Sequence, residues 1–163
     1  MSAAVALREG GLADLPAVMT VMDDSFEPCF GEAWTVSQCA GLLSMPGVWL
    51  TLARDAGAVV GFALARIAAD EAELLLLAVR RTAQRQGIGR ALLDRFDALA
   101  RGRGAARVHL EVRDGNHAIT LYRSAGFELV GRRPNYYEGP DGRSFDALTF
   151  AKIAGDGAGI VGP

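Results

Sequence analysis

The spacing of apolar residues divides the N-terminal part of the chain into distinct elements. An apolar stretch over 3–8 predicts a first strand, which a pair of glycines ends. Between Leu12 and Met22, apolar residues recur every three or four positions, as in an amphipathic helix. The stretch 23–34 has no clear period, mixes acids with aromatics and predicts an exposed loop.

The middle of the chain changes from helical spacing to extended strands. Thr35 and Gln38 have the spacing of a capping box, so we expect a second helix that begins there and runs to about Ser44. Apolar runs separated by short turns follow. They predict a meander of antiparallel strands over 48–53, 59–65 and 74–79.

The C-terminal half alternates helices and strands. Apolar residues three to four apart predict a third helix from Ile88 to about Gly102. The stretch 107–112 alternates strictly and places Glu111 on the face opposite its apolar residues. The remaining pattern predicts a fourth helix, a strand, a loop and a last strand, over 116–125, 127–132, 134–142 and 145–152.

Composition narrows the class of protein. The length of 163 residues fits a single domain over 1–154, followed by a Gly-rich tail over 155–163 that we expect to be disordered. A net charge of −2 and a pI of about 5.7 argue against a nucleic-acid-binding protein. Neither a membrane-spanning run nor a signal pattern is evident, so we expect a cytoplasmic protein without a membrane partner. Cys29 and Cys39 predict free thiols, with neither disulfide nor metal site.

A basic, glycine-bearing loop stands between the third strand of the meander and the third helix. Gly87 and Gly89 allow a ligand to approach the backbone, and four arginines surround them: Arg80, Arg81, Arg85 and Arg90. A helix that begins there offers unpaired N–H groups and its positive dipole end to a phosphate. The alternative is a strand-to-helix turn with a solvated basic rim.

Two ordered motifs resemble the GNAT N-acetyltransferase superfamily. Gln84-x-x-Gly87-x-Gly89 is similar to that family's loop for the pyrophosphate of acyl-CoA, and Asn116 followed by Tyr122 and then Gly126-Phe127 resembles a later family feature. The resemblance implies an α/β (α+β) GNAT fold: a mixed, mostly antiparallel central sheet of about seven strands flanked by about four helices. It also implies acetyl-CoA as the cosubstrate and no metal.

A narrower resemblance is to the RimI-like ribosomal-protein-alanine acetyltransferases, which modify a protein's N-terminal amine. The segments 110–113 and 133–137, together with the basic glycine loop, are similar to that group. The sequence departs from the group at Asn116, which precedes Tyr122 by one residue fewer than usual. Gly115 is therefore an alternative for the position that Asn116 would fill.

The resemblance implies roles for several residues. Glu111 is similar to the group's general base, and Tyr122 could protonate the departing thiolate. The alternatives are a strand acid paired with Arg113 or His109, and a half-buried helix aromatic. The residues expected to bind the cofactor are Leu77, Ala78, Val79, Gln84, Arg85, Gln86, Gly87, Ile88, Gly89, Arg90 and Asn116.

The acceptor site is predicted from aromatic and acidic side chains in two loops. They could wall a groove that admits a protein or peptide N-terminus, or they could anchor their own loops. These residues are Phe30, Glu32, Trp34, Tyr136 and Tyr137. Two other functions compete with protein N-terminal acetylation: transfer to a small-molecule amine, and acyl-CoA binding without turnover. We expect a monomer or a weak homodimer.

Overall fold

The computed structural model describes residues 5–155. Most helices and strands lie where the apolar spacing predicts them. The strands are β1 (Val5–Gly10), β2 (Val48–Asp55), β3 (Ala58–Ala68), β4 (Glu71–Val79), β5 (Arg107–Arg113), β6 (Glu128–Glu138) and β7 (Ser144–Ile153). The helices are α1 (Leu15–Ser25), α2 (Val36–Leu43), α3 (Ile88–Gly102) and α4 (Ala118–Ser124). Short 3-10 turns lie at Leu12–Asp14, Pro28–Phe30 and Arg81–Ala83.

The strands form one sheet of seven strands in the order β1-β2-β3-β4-β5-β7-β6. Neighbouring strands are antiparallel except β4 and β5, which are parallel. The predicted meander corresponds to β2, β3 and β4. The mixed, mostly antiparallel sheet flanked by four α-helices confirms the expected fold class.

The two parallel strands at the centre of the sheet are neighbours only at their N-terminal ends. Residues 71–74 pair with 107–110. Beyond that point β4 continues to Val79 and β5 continues to Arg113, without pairing between them. The strands therefore diverge, and each presents an open backbone edge to the gap.

A β-bulge in β4 marks the point of divergence. Leu74 pairs with Ala65 on β3, and Leu76 pairs with Leu64, so Leu75 is one extra residue on the β4 side. A bulge of this kind bends the strand and increases its local twist. The bend occurs immediately after Leu74, which is the last residue of β4 that pairs with β5.

The bulge also exchanges the faces of β4. Ala72 and Leu74 lie in the core that packs against α3, whereas Leu76 and Ala78 lie in the core beneath α1 and α2. In an unbroken strand these four alternate residues would share one face. The sheet is therefore covered by helices on both sides, which explains why β4 is apolar throughout its second half.

The predicted start signals of two helices are confirmed. The Thr35 hydroxyl accepts a hydrogen bond from the Gln38 backbone N–H at 3.2 Å, and the Gln38 side chain accepts one from the Thr35 N–H at 2.8 Å. This reciprocal capping box begins α2. Helix α3 begins after Gly87, which has a positive φ of 80°.

The prediction of a long loop before the last strand is wrong. Strand β6 extends to Glu138, so Tyr136 and Tyr137 lie in a strand and not in a loop. The predicted loop was based on Pro134 and the polar residues after it. A proline is tolerated there because β6 is an edge strand and its ladder with β7 is interrupted between Arg133 and Tyr137.

Smaller differences occur near the ends of the chain. The first strand covers Val5–Gly10, because Gly10 still pairs with β2. Helix α1 extends to Ser25, and the turn Pro28–Phe30 gives regular structure to part of the predicted loop. The predicted disordered tail lies, beyond Gly155, outside the described residues. Within 5–155, no helix combines the length and the apolar character needed to cross a bilayer.

Candidate active site

The gap between β4 and β5 forms the candidate site. The predicted cofactor-binding residues Leu77, Ala78 and Val79 lie on β4 beyond its last pair with β5. Glu111 is the first residue of β5 past that pair, and its own backbone pairs with Thr149 on β7. The divergence thus places the predicted base next to an open strand edge, where an extended ligand can add as another strand.

Side chains from α1 and from the glycine loop hold the end of β4. The Val79 carbonyl accepts hydrogen bonds from the Ser25 hydroxyl at 3.0 Å and from the Gln84 side-chain amide at 2.9 Å. The Asp24 carboxylate accepts one from the Arg81 backbone N–H at 2.7 Å. The Gln84 side chain therefore positions the strand end, and its contact with a cofactor stays a prediction.

The glycine loop has a backbone suited to an anion. Arg85 and Gly87 adopt positive φ angles of 62° and 80°. The first helical hydrogen bond of α3 runs from the Ala91 N–H to the Gly87 carbonyl at 3.0 Å. The preceding N–H groups of the helix consequently have no acceptor within it, and they belong to Ile88, Gly89 and Arg90.

The surroundings of this loop leave recognition mainly to the backbone. A Cβ added at Gly89 would lie 3.4 Å from Leu121 Cδ2 of α4 and 3.8 Å from Val79 Cγ2, so the helix start packs closely against both elements. Arg90 donates a hydrogen bond to Asp94 at 2.9 Å. Arg85 and Gln86 are exposed. A phosphate at this loop would meet the free N–H groups and the positive end of the helix dipole.

Glu111 is only 17% exposed, and its two oxygens differ. Oε1 lies 3.2 Å from Nη2 of Arg133, whereas Oε2 is buried and has no hydrogen-bond partner within residues 5–155. The alternative pairing of Glu111 with His109 or Arg113 is not observed in this region. His109 lies 3.9 Å from the carboxylates of two β4 glutamates, and Arg113 binds a glutamate of the α1–α2 loop.

Two phenols share this region with Glu111. Burial is the main cause that raises the pKa of Tyr122 above its usual value, and the charge of Glu32 adds to it. Burial also raises the pKa of Tyr137, with further contributions from Glu32 and Glu111. Tyr122 is 6% exposed and packs edge-on against Phe127, with ring centroids 6.1 Å apart. Both phenols therefore stay protonated at neutral pH, as a proton donor must.

Comparison with known proteins identifies the family. The profile of the Acetyltransferase (GNAT) family matches residues 15–127, which contain the diverging strands, the glycine loop, Glu111 and Tyr122. This chain belongs to the GNAT family. The family's use of acetyl-CoA fits the open edge of β4 and the N–H groups of the glycine loop.

Several relatives are similar to this GNAT chain. The "[Ribosomal protein bS18]-alanine N-acetyltransferase" of Escherichia coli (strain K12) is 45% identical over 96 residues, which cover 58% of this chain and 64% of that protein. The "N-alpha-acetyltransferase RimI" of Mycobacterium tuberculosis is 36% identical over 150 residues, covering 88% and 85%. The crystal structure of the Escherichia coli ribosomal-protein-S18-alanine N-acetyltransferase matches with a TM-score of 0.82, 30% identity, and coverage of 98% and 99%.

On the predicted acceptor side, Glu32 is part of a buried network. Its Oε1 accepts a hydrogen bond from Arg113 Nε at 3.0 Å, and both side chains are 9% exposed. Its Oε2 accepts one from the Asn116 side-chain amide at 2.8 Å, and the Asn116 side-chain oxygen Oδ1 accepts one from the Ala118 N–H at 2.8 Å. The Asn116 side chain thus joins the start of α4 to the α1–α2 loop, and its contact with a cofactor stays a prediction.

Aromatic rings surround this network. The Arg113 guanidinium lies 3.6 Å from the centre of the Phe30 ring, which packs edge-on against Phe145 at 5.3 Å. Trp34 packs against the core beneath α1 and α2, so it contributes to loop anchoring. The Tyr136 and Tyr137 rings meet edge-on at 5.1 Å, and Tyr136 is 51% exposed. The Phe30–Phe145 contact therefore joins the α1–α2 loop to the start of β7, whereas the two tyrosines contact each other within β6.

Two glycines allow the α1–α2 loop to touch the β6–β7 turn. A Cβ at Gly31 would collide with the Glu138 backbone carbonyl, and one at Gly139 would collide with the Cys29 carbonyl. Gly31 also has a positive φ of 67°. We call the gap between β4 and β5 the cleft. Its acceptor-side wall is therefore built by close backbone contact between segments about one hundred residues apart in sequence.

The sequence alone did not assign Arg113, Arg133 and Ser25 to the site. Arg113 lies two residues after Glu111 on the same face of β5, so its sequence position indicated Glu111 as the partner, whereas the observed partner is Glu32. Arg133 and Ser25 stand in no sequence pattern that indicates their contacts. Within the described part of the chain, no three His, Cys, Asp or Glu side chains are grouped to hold a metal.

Proposed function

We propose that this protein transfers the acetyl group of acetyl-CoA to the N-terminal α-amine of a protein, most directly a ribosomal protein that begins with alanine. The observation that carries the proposal is the position of Glu111, just past the point where β4 and β5 separate and beside the open edge of β4. The acceptor class rests on the names of relatives that span much of this chain.

The residues around the cleft fit the requirements of acetyl-CoA. The N–H groups at the start of α3 bind the phosphates, and the open edge of β4 at Leu77 to Val79 binds the extended arm of the cofactor. When bound, acetyl-CoA supplies an activated acyl group on a thiol leaving group. The close packing of Gly89 against α4 keeps the start of the helix near the end of β4.

The chemistry on the acceptor side is a proton transfer. An N-terminal amine has a reference pKa of about 7.7 to 8.0, compared with about 10.4 for lysine, so it is easier to deprotonate. Glu111 accepts that proton directly or through a water, and the free amine attacks the acyl carbon in a ternary complex. Tyr122, which is held protonated by burial, donates to the departing sulfur.

The test is an acceptor screen with the full chain and acetyl-CoA. Peptides that begin with alanine, the same peptides with a blocked N-terminus but a free lysine, and a panel of small amines are compared by mass spectrometry. We expect acetylation of the free α-amine only. Transfer to a small amine and not to peptides would overturn the protein acceptor, and CoA binding without any transfer would indicate a non-catalytic acyl-CoA-binding protein.

A further inference from the structure

The carboxylate of Glu111 is not openly presented to an acceptor. Oε1 lies 3.2 Å from Nη2 of Arg133, and Oε2 is buried without a hydrogen-bond partner among residues 5–155. The side chain as a whole is 17% exposed. A base must lie within hydrogen-bond reach of the proton that it takes, directly or through one water. Arg133 thus lies at the one oxygen of Glu111 that is not buried, where an incoming amine would meet it.

Arg133 is the neighbour that can move. Its side chain is 60% exposed, and it lies on the edge strand β6. It pairs with Ala147 at the last position before the ladder between β6 and β7 breaks, and Asn135, two residues on, has a positive φ of 54°. Glu111, in contrast, lies on an inner strand. An ion pair with so exposed a partner exchanges easily with another cation.

The Arg133 side chain also contacts an aromatic ring in the conformation in which it pairs with Glu111. Its guanidinium carbon lies 5.4 Å from the centre of the Tyr136 ring, which is half exposed. A guanidinium over an aromatic face keeps a favourable interaction when it gives up a carboxylate. Arg133 therefore keeps a favourable contact for its charge when it leaves Glu111.

We propose that Arg133 is a displaceable counter-ion that occupies the position of the acceptor's ammonium at Glu111. The proposal rests on the proposed function, since it names the group that the acceptor replaces. The acceptor arrives protonated, and its ammonium replaces the guanidinium at Oε1. It then gives one N–H proton to the Glu111 carboxylate, and the lone pair freed on nitrogen forms the new bond to the acyl carbon as the C–S bond of the thioester breaks. The departing sulfur takes a proton from Tyr122 and leaves as the CoA thiol, and the new amide nitrogen loses its second proton, which restores the phenol directly or through solvent.

This arrangement makes Arg133 a specificity-determining residue. An acceptor must carry a positive charge to compete with the guanidinium, so uncharged nucleophiles such as alcohols or amides do not open the site. Acceptor affinity is also lowered by the competition, because only the fraction of molecules with Arg133 displaced can bind.

The test compares Arg133→Gln with the parent chain in steady-state kinetics on an alanine-initiated peptide. Without the competing charge, we expect the KM for the peptide to fall by about two- to fivefold, with little change in kcat or in the KM for acetyl-CoA. Arg133→Lys keeps the positive charge but not the planar guanidinium with its paired N–H donors, and we expect an intermediate KM for the peptide. Added guanidinium at a non-denaturing concentration should raise the peptide KM of Arg133→Gln towards the parent value.

The matched control is Arg132→Gln. Arg132 is the adjacent residue, and it bonds to Asp114 at 2.9 Å and Asp146 at 2.6 Å, away from Glu111. Its loss removes the same charge from the same strand, and we expect the peptide KM to stay unchanged. An equal fall of the peptide KM in both variants would mean that the effect comes from net charge alone, and it would overturn the proposal.

The remaining outcomes separate this proposal from the proposed function. A peptide KM that rises in Arg133→Gln would mean that Arg133 binds the acceptor, and a kcat that falls more than about tenfold would mean that it orients Glu111. Either result overturns the displacement. If only a small amine is acetylated, the protein acceptor fails and the same KM comparison is made with that amine. If no amine is acetylated, both proposals fail.

Discussion

The two walls of the cleft are built in different ways. The predicted cofactor side is a continuous stretch from Gln84 to Arg90, which contains two residues with positive φ and the first N–H groups of α3, which have no acceptor within the helix. The acceptor side joins Glu32 to Arg113 and Asn116 across 81 and 84 positions of sequence, through buried side chains. A local motif can therefore specify the first wall, whereas the second requires the completed fold.

The difference also predicts how each wall responds to change. Backbone recognition depends on conformation, so it is sensitive to φ and insensitive to most side chains. A buried ion pair depends on both partners, and loss of one leaves an uncompensated charge. Substitutions on the cofactor side should therefore affect ligand binding first, and substitutions on the acceptor side should affect stability first.

The largest effect is expected at Glu111, which lies between the two walls. Glu111→Gln removes the proton acceptor and keeps the shape of the side chain, so kcat for an alanine-initiated peptide should fall by about 10² to 10⁴. Calorimetric titration with CoA should give an unchanged affinity. A loss of activity below about tenfold would assign the base to another group.

The next effect is expected on the stability of the acceptor wall. Arg113→Met leaves the Glu32 carboxylate buried without its ion-pair partner, and the free energy of unfolding should fall by about 3 to 5 kcal/mol in urea denaturation. The control is Arg66→Met, since Arg66 pairs with Glu73 but is 49% exposed. Its loss should cost no more than about 1 kcal/mol. Equal losses in the two variants would contradict the role of the buried network.

Gly87 tests the cofactor wall. Because Gly87 has a φ of 80°, Gly87→Ala should cost about 1 to 2 kcal/mol and weaken CoA binding. Gly102→Ala is the control at the opposite end of α3, since Gly102 has no positive φ and no atom within 4 Å of an added Cβ. That variant should keep CoA affinity and the free energy of unfolding. Unchanged CoA affinity in Gly87→Ala would argue against backbone recognition.

The smallest effect on stability at neutral pH is expected for Tyr122, which is buried in the core that packs against α3. Its pKa is raised in the folded state, so the native protein keeps a proton that the unfolded chain loses above about pH 10. Stability is therefore independent of this phenol below about pH 10 and falls by about 1.4 kcal/mol per pH unit above it. Urea unfolding measured below and above about pH 10 should show a smaller alkaline loss of the free energy of unfolding in Tyr122→Phe than in the parent chain. An unchanged slope would contradict the burial of the phenol.

Much of the fold follows from local signals in the sequence. The capping box at Thr35 and Gln38 and the alternation around Glu111 are properties of short segments, and both are confirmed. The extent of β6 is not a local property. Pro134 indicates in the sequence that the strand ends, whereas its pairing with β7 is interrupted after Arg133 and resumes at Tyr137. The proline is tolerated because β6 is an edge strand, and the edge position is known only from the sheet order.

The residues of the candidate site also divide into those that a short segment of sequence predicts and those that depend on the completed fold. The glycine loop was predicted as a unit because its residues are contiguous and its chemistry belongs to the backbone. The partner of Glu111 was not predicted, since Arg133 reaches it from another strand, and the nearer candidates His109 and Arg113 have partners of their own. Side-chain pairing across distant segments depends on orientations that spacing does not encode.

The single extra residue at Leu75 has a consequence for how this chain can vary in length. Deleting it would restore strict alternation, turn the side chains of 76–79 to the opposite layer and remove the bend that separates β4 from β5. A shortening by one residue at this position would then be more damaging than many substitutions. Among functional variants of this protein, we expect the number of residues between Glu71 and Val79 to be invariant, even where the residues themselves differ.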